Sequence, residues 1–304
     1  MDIIRLLNMQ GAIIIMILIG FFLKKKGVIS NESRKALTDL CLNLIIPCTI
    51  IRSFLIKFNI NILKNCGLLL VVAIIIEGIC LLSNKLIYNN YGEKQKSVMQ
   101  YCTIASIGSF LGNPIAESVY GEIGLLYTSI FLIPMRMIMW SIGPTYFIEK
   151  KIDIKSFVKN ILTHPCLVSV YIGITLMVTQ ITLPRVILLP INYISSCNTA
   201  IIMVMIGIIL SEAEIRTIFN KDTIKLSVLR LILLPLLALI SGYLLGLDKI
   251  SIGVAVLITG MPAGTTAAIF ADKYDSDPSF ATKCVVTTII FSMITLPTWI
   301  YLVG

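Results

Sequence analysis

The chain has 304 residues, of which 57% are hydrophobic and 13% charged, with a net charge of +9. A soluble domain carries about 45–50% apolar and about 25% charged residues. The polar surface here is too small to cover a water-exposed globule, and a soluble enzyme, a disordered chain and a collagen-like or disulfide scaffold are excluded.

A membrane helix takes about 20 residues, so the length allows roughly ten spans with short loops. Apolar runs that predict spans fall at 8–23, 36–56, 66–88, 97–118, 122–148, 160–181, 186–210, 224–246, 250–271 and 280–302. The first run is followed by Lys24, Lys25 and Lys26, whereas a cleaved signal carries its basic residues first, so it reads as a span. The sixth and seventh runs are separated only by Pro184 and Arg185. Basic residues are strongly uneven between alternate loops. One set holds Lys24–Lys26, Arg34, Lys35, Lys85, Lys94, Lys96, Lys150, Lys151, Lys155, Lys159, Arg216, Lys221, Lys225, Lys273 and Lys283. The other holds Arg5, Arg52, Lys57, Lys64, Arg185 and Lys249. The positive-inside rule places the first set in the cytoplasm and both termini outside. The same rule accounts for the net charge without nucleic acid, since no basic stretch is interleaved with aromatics. The eight cysteines form no C-x-x-C pair, and nearly all lie in or near apolar runs, where a thiol acts as a small hydrophobe. One histidine, His164, makes no metal site and reads as a helix-terminal polar residue ahead of the alternative, a proton relay.

The loop around 149–159 divides the chain into halves of five spans, 1–150 and 151–304. An odd number of spans per half inverts the second copy, as in transporters built from inverted repeats. The fourth span carries Ser106-Ile107-Gly108-Ser109-Phe110-Leu111-Gly112-Asn113-Pro114, and the ninth Gly260-Met261-Pro262-Ala263-Gly264-Thr265-Thr266. Proline removes a backbone donor and clashes with the preceding turn, and glycine adds little local stability. Both spans are therefore expected to unwind at these points. Bare peptide groups in lipid are tolerated only beside protein or a wet cavity. Paired breaks in corresponding spans are the best sequence pointer to a transport site.

Three segments resemble the auxin efflux carrier family, whose bacterial members include malate and malonate permeases. They are GFFLKKKGVISNESRKALTDLCLNLIIP at 20–47, FLGNPIAESVYGEIGLLY at 110–127, and MPAGTTAAIFADKYDSDPSFATKCVVTTIIFSMITLP at 261–297. The last is the most specific. The resemblance implies an all-α membrane protein of ten transmembrane helices in two inverted five-helix repeats. Helices 4 and 9 would be broken and cross near the bilayer centre, as in sodium/proton antiporters and bile-acid symporters. Spans 1, 2, 6 and 7 would form a scaffold for the crossing part. It further implies transport of small organic anions, often carboxylates. One position departs: the family commonly has an asparagine seven residues before the crossover proline, and here that residue is Ile107.

An ionisable residue at mid-span costs about 2.5–3.5 kcal/mol on insertion scales, so each needs a reason. Glu77 and Arg136 lie midway through the third and fifth spans. They read as a structural ion pair, or as proton carrier and anion counter-charge. Asp39 and Asn43 lie four apart on the second span, and Ser195, Ser196 and Asn198 are their counterparts on the seventh. Asn43, Asn113, Pro114, Met261, Pro262, Ser195 and Asn198 are the substrate-binding candidates. Glu77, Arg136, Asp39 and Thr265 are the candidates for a coupling ion or charge pair, with Thr266 beside the last. Arg230 reads as a snorkelling residue near the cytoplasmic end of the eighth span. Glu117 and Glu122 read as solvated residues at the outer end of the fourth.

Together these features predict a secondary carrier in a bacterial inner membrane, moving a small organic anion by alternating access and driven by H+ or Na+. No nucleotide-binding signature, cofactor or metal is expected, and a homodimer is compatible with the chain. The alternatives are a non-transporting sensor or assembly partner on a carrier scaffold, and a membrane-embedded enzyme. The latter lacks any paired catalytic residues in mid-span.

Overall fold

The computed structural model describes residues 3–56, 60–148, 163, 165–211 and 218–303. His164, Lys57 and the dividing loop at 149–159 lie outside the described residues. Everything described is helix, turn or extended link, with no strand beyond one isolated backbone bridge. The helices are α1 (Ile3–Lys25), α2 (Asn31–Leu40), α3 (Ile46–Ser53), α4 (Ile60–Ile87), α5 (Glu93–Ile104), α6 (Asn113–Ser141) and α7 (Pro165–Thr179). There follow α8 (Arg185–Ser196), α9 (Asn198–Ser211), α10 (Lys221–Val228), α11 (Leu234–Leu244), α12 (Lys249–Thr259), α13 (Thr266–Lys273) and α14 (Pro278–Val303).

Among the described residues six stretches are long and apolar enough to cross a membrane: Glu32–Ser53, Ile60–Ile87, Phe110–Tyr146, Arg185–Ser211, Lys221–Leu244 and Pro278–Val303. Their outward faces are apolar. On α4, Val71, Ile74, Ile75, Leu82 and Leu86 are exposed while Val72, Ala73, Ile76 and Cys80 are buried. Such a surface is costly in water and natural in lipid. The protein is a multi-pass membrane protein.

Prolines shape the helices in a repeated way. Pro47, Pro114 and Pro235 each sit two residues after a π turn, at Cys41–Ile45, Gly108–Gly112 and Leu229–Leu233. The wider turn moves the preceding carbonyls off the proline ring, which lacks the N–H to bond them. The carbonyl that Pro235 leaves free, that of Leu231, accepts a hydrogen bond from the Trp299 indole at 2.8 Å. At Gly121 the chain turns through a left-handed conformation (φ 68°, ψ −155°), so α6 is two helical arms. An L side chain is strained at that φ.

The chain packs as two compact units, and neither coincides with one half of the sequence. Unit 1 comprises Met1–Leu63, Ser109–Ser129 and Thr163–Ala213. Within it α1 lies along α9 at backbone contact: a Cβ on Gly20 would strike the Val204 carbonyl, and one on Gly207 the Ile17 carbonyl. Helix α3 packs on α7 and α8, and its Ser53 hydroxyl meets that of Ser129 at 3.1 Å.

Unit 2 comprises Lys64–Gly108, Ile130–Leu162 and Glu214–Gly304. In it α11 packs on α12, and α14 lies against α5, α10, α12 and α13. Asn220 opens α10 with a reciprocal capping box to Thr223, which satisfies two orphan donors at once. Tyr101 of α5 stacks edge-on against Phe270 of α13 with centroids 5.2 Å apart. Its hydroxyl lies 2.7 Å from that of Thr266.

Candidate functional site at two helix breaks

Both anticipated breaks are present in unit 2, and they bind each other. Beyond α5 the chain is extended at Ala105 (φ −103°, ψ 126°). Beyond α12 it leaves the helix at Gly260. Ser106 and Ala263 then face one another as an antiparallel bridge. The Ile107 N–H donates to the Pro262 carbonyl at 3.0 Å, and the Gly264 N–H to the Ala105 carbonyl at 2.9 Å. The Ala263 N–H donates to Thr288 Oγ1 at 3.1 Å and the Gly108 N–H to Ser106 Oγ at 3.1 Å. Peptide groups released by the breaks are thus paired, as an apolar surrounding demands.

The first break is shorter than its sequence suggests. Helical winding resumes at Gly108 as a π turn, so Asn113 and Pro114 lie within helix and only Ala105, Ser106 and Ile107 are extended or bent. The π turn ahead of Pro114 moves the preceding carbonyls off its ring, so the proline is accommodated inside the winding. Ile107 contributes its backbone to the pairing, while its side chain is buried at 2% exposure.

The free carbonyls at the ends of α5 and near the end of α12 carry the negative ends of two helix dipoles. Arg230 meets both. Its Nε donates to the Met261 carbonyl at 2.9 Å, and its Nη1 to the carbonyls of Cys102 at 3.1 Å and of Thr103. This residue is 4% exposed, which corrects the expectation that it snorkels to the membrane surface. The carbonyls that hold it come from segments far away in the chain, and only the fold brings them together.

Beside the guanidinium lies a cavity of about 20 Å³ lined by Glu77, Thr103, Ser106, Arg230 and Thr259 among apolar side chains. Glu77 is 8% exposed. One of its carboxylate oxygens and the Thr259 hydroxyl have no hydrogen-bond partner within the protein. Arg136 is also buried, at 2% exposure, but does not line this cavity. The cation that shares a cavity with Glu77 is therefore Arg230 and not Arg136. Thr265 precedes the first turn of α13 and makes no side-chain cap.

Unit 1 holds the remaining candidates. Asn113 is fully buried and Asn198 is 2% exposed, and neither amide finds a partner for its oxygen or nitrogen. Asn198 opens α9, where the dipole favours negative charge, whereas Asn113 lies one turn into the winding that begins at Gly108. Ser195 is buried and accepts from Arg52 Nη1 at 3.3 Å. The other arm of Arg52 pairs with Glu117 at 3.1 Å, with side chains 26% and 28% exposed. Glu117 is thus an ion-pair partner and not merely a solvated residue. Glu122 is exposed. Asn43 and Asp39 are also exposed, and the Asn43 amide donates to the Asp39 carbonyl at 2.9 Å across the π turn. Ser196 is exposed and bonded to its own helix.

Arg52 and Arg230 were not among the site residues anticipated above. Arg52 sits at the end of an apolar run and reads as a loop charge. For Arg230 the available signal was Pro235, which marks a wide turn at the arginine's own position.

A family described as "Membrane transport protein" matches residues 11–156 and 148–300. An uncharacterized transporter of Methanothermobacter thermautotrophicus is 24% identical over 95% of each chain. An uncharacterized transporter of Methanocaldococcus jannaschii is 24% identical over 94% of this chain and 95% of its own. The uncharacterized transporter YfdV of Escherichia coli is 21% identical over 95% of each.

Proposed function

The chain belongs to the membrane transport protein family of the auxin efflux carriers, and on that premise we propose that it is a secondary active carrier of a small organic anion, of the carboxylate class. It is a transporter and not an enzyme. The observation that carries the proposal is the mutual hydrogen bonding of the two broken segments, 105–107 with 262–264. Breaks in corresponding spans of two repeats mark the substrate and ion sites of many carriers. This supports two inverted repeats of five spans each, and the uneven loop charges support both termini lying outside a bacterial inner membrane. Transport would proceed by alternating access and draw its energy from an ion gradient.

The substrate carboxylate would be bound by groups that accept a negative charge. In unit 1 these are the unpartnered amides of Asn113 and Asn198, the latter at a helix N-terminus, and Arg52 with its partner Ser195. Pro114 fixes the turn that carries Asn113, and Met261 and Pro262 form the second break. Asn43 and Asp39 would meet the substrate only on its way in or out, since both are exposed.

Counterflow of labelled mono- and dicarboxylates into proteoliposomes tests the proposal. Wild-type protein is expected to exchange at least one of them. Asn113→Ala removes a hydrogen bond to a charged ligand, a loss of about ten- to a hundredfold in apparent affinity. Unchanged exchange in Asn113→Ala rejects the assignment of that residue. No exchange of any carboxylate rejects the carrier reading in favour of a non-transporting sensor. The apolar Ile107 side chain, where the family commonly places asparagine, is the feature that keeps this second reading in view.

A further inference from the structure

We infer that Arg230 is the resident cation of the crossover: its guanidinium holds the place that a sodium ion would otherwise take, and the carrier works without sodium. The inference deepens the carrier reading and rests on it. In carriers with broken helices, unwound carbonyls and half-helix C-terminal ends supply the ligands of a coupling cation. Those ligands are all present here. The Cys102 and Thr103 carbonyls end α5, and the Met261 carbonyl follows α12. Each already accepts a hydrogen bond from Arg230.

The guanidinium suits this position. It is planar, permanently charged and forked, so one side chain reaches carbonyls from both breaks. At 4% exposure it has no bulk water, its charge is offset by two helix dipoles, and the Glu77 carboxyl lines the same cavity. With the site filled by a tethered cation, a second cation would meet like charge in a region of low dielectric. The cavity itself, about 20 Å³, admits a single water-sized occupant.

Truncating Arg230 should uncover the site. Three carbonyls would be released beside the unpartnered Glu77 oxygen and Thr259 hydroxyl, an all-oxygen set suited to a hard cation. Thermal unfolding of the detergent-solubilised protein in sodium chloride and in choline chloride at equal ionic strength reads this directly. Wild type is expected to unfold at the same temperature in both. Arg230→Ala is expected to unfold at lower temperature in choline and to regain part of the loss in sodium. Millimolar guanidinium should stabilise the same variant in the same way. Glu77→Gln added to Arg230→Ala should reduce the sodium effect.

A sodium-dependent upward shift in wild type overturns the inference. So does a folded Arg230→Ala protein that responds to neither ion. If Arg230→Ala does not fold, Arg230→Lys serves instead. It keeps the charge and should show no sodium shift, and a shift there overturns the inference. Absence of carboxylate exchange bears only on the carrier reading, because the unfolding measurement needs no substrate.

Discussion

Arg230 and Glu77, a base and an acid, open into one cavity, yet they differ in how plainly the sequence announces them. Glu77 stands amid the third apolar run with no charge nearby in sequence, so its burial is legible at once. Arg230 lies close to the start of its run, where a long side chain is free to reach water. What buries it is a set of carbonyls contributed by residues 102, 103 and 261, which no local pattern reveals. Partner choice is hidden for the same reason: depth along a span says nothing of which helix face a charge lies on. Outside the spans, Tyr91 shows a second concealed contact. Its hydroxyl donates to Asp222 at 2.9 Å. Burial first, and then that bond and the aspartate's charge, push the phenol from its usual 10.0 up to about 12. A raised value in the folded state means that the stabilisation is complete below pH 10 and is lost as pH climbs through 12. Wild type in detergent should therefore lose stability across this alkaline window. Tyr91→Phe should be less stable at neutral pH and should lack that portion of the alkaline loss. Parallel pH profiles of unfolding temperature for the two proteins would contradict it.

Helical elements were largely legible, and prolines were the reason. Pro184, expected to separate two runs, immediately precedes α8, and Gly260 to Gly264 interrupt the ninth span where composition says they should. The first break is shorter than the segment from Ser106 to Pro114 suggests, because Gly112, Asn113 and Pro114 look like breakers in sequence but are absorbed by a π turn and the helix that follows. The close approach of α1 and α9 is less visible. Gly20 and Gly207 are single glycines in separate apolar runs, and only the fold shows that each faces the other helix's backbone. Gly207→Val should force these helices apart, because a carbonyl cannot rotate away from the new side chain. Overpacking of this kind costs about 1–3 kcal/mol. A lower unfolding temperature is expected for this variant, with little change for Gly67→Val on α4, where a Cβ meets nothing within 4 Å. Equal behaviour of the two variants would mean that the contact carries no stability.

The proposed orientation rests on the distribution of charge over the whole molecule, and the similarity to relatives runs along nearly the full chain. Orientation is open to a direct check. In a variant with its eight cysteines replaced by serine or alanine, Lys249→Cys should react with an impermeant maleimide on intact cells. Asn90→Cys should react only after permeabilisation; both positions are exposed. The reverse pattern would invert the assigned topology. The three π turns among the described residues bear on how such a chain can move. A π turn is one residue of slack in a helix, and slack of this kind can in general creep along the axis, twisting one end against the other at the expense of few hydrogen bonds. Here each turn is stopped on its C-terminal side by Pro47, Pro114 or Pro235, beyond which an N–H is missing from the ladder. The slack is pinned, so these three turns act as fixed bends, and a change of shape falls to the links between helices, such as 105–107, and to the kink at Gly121.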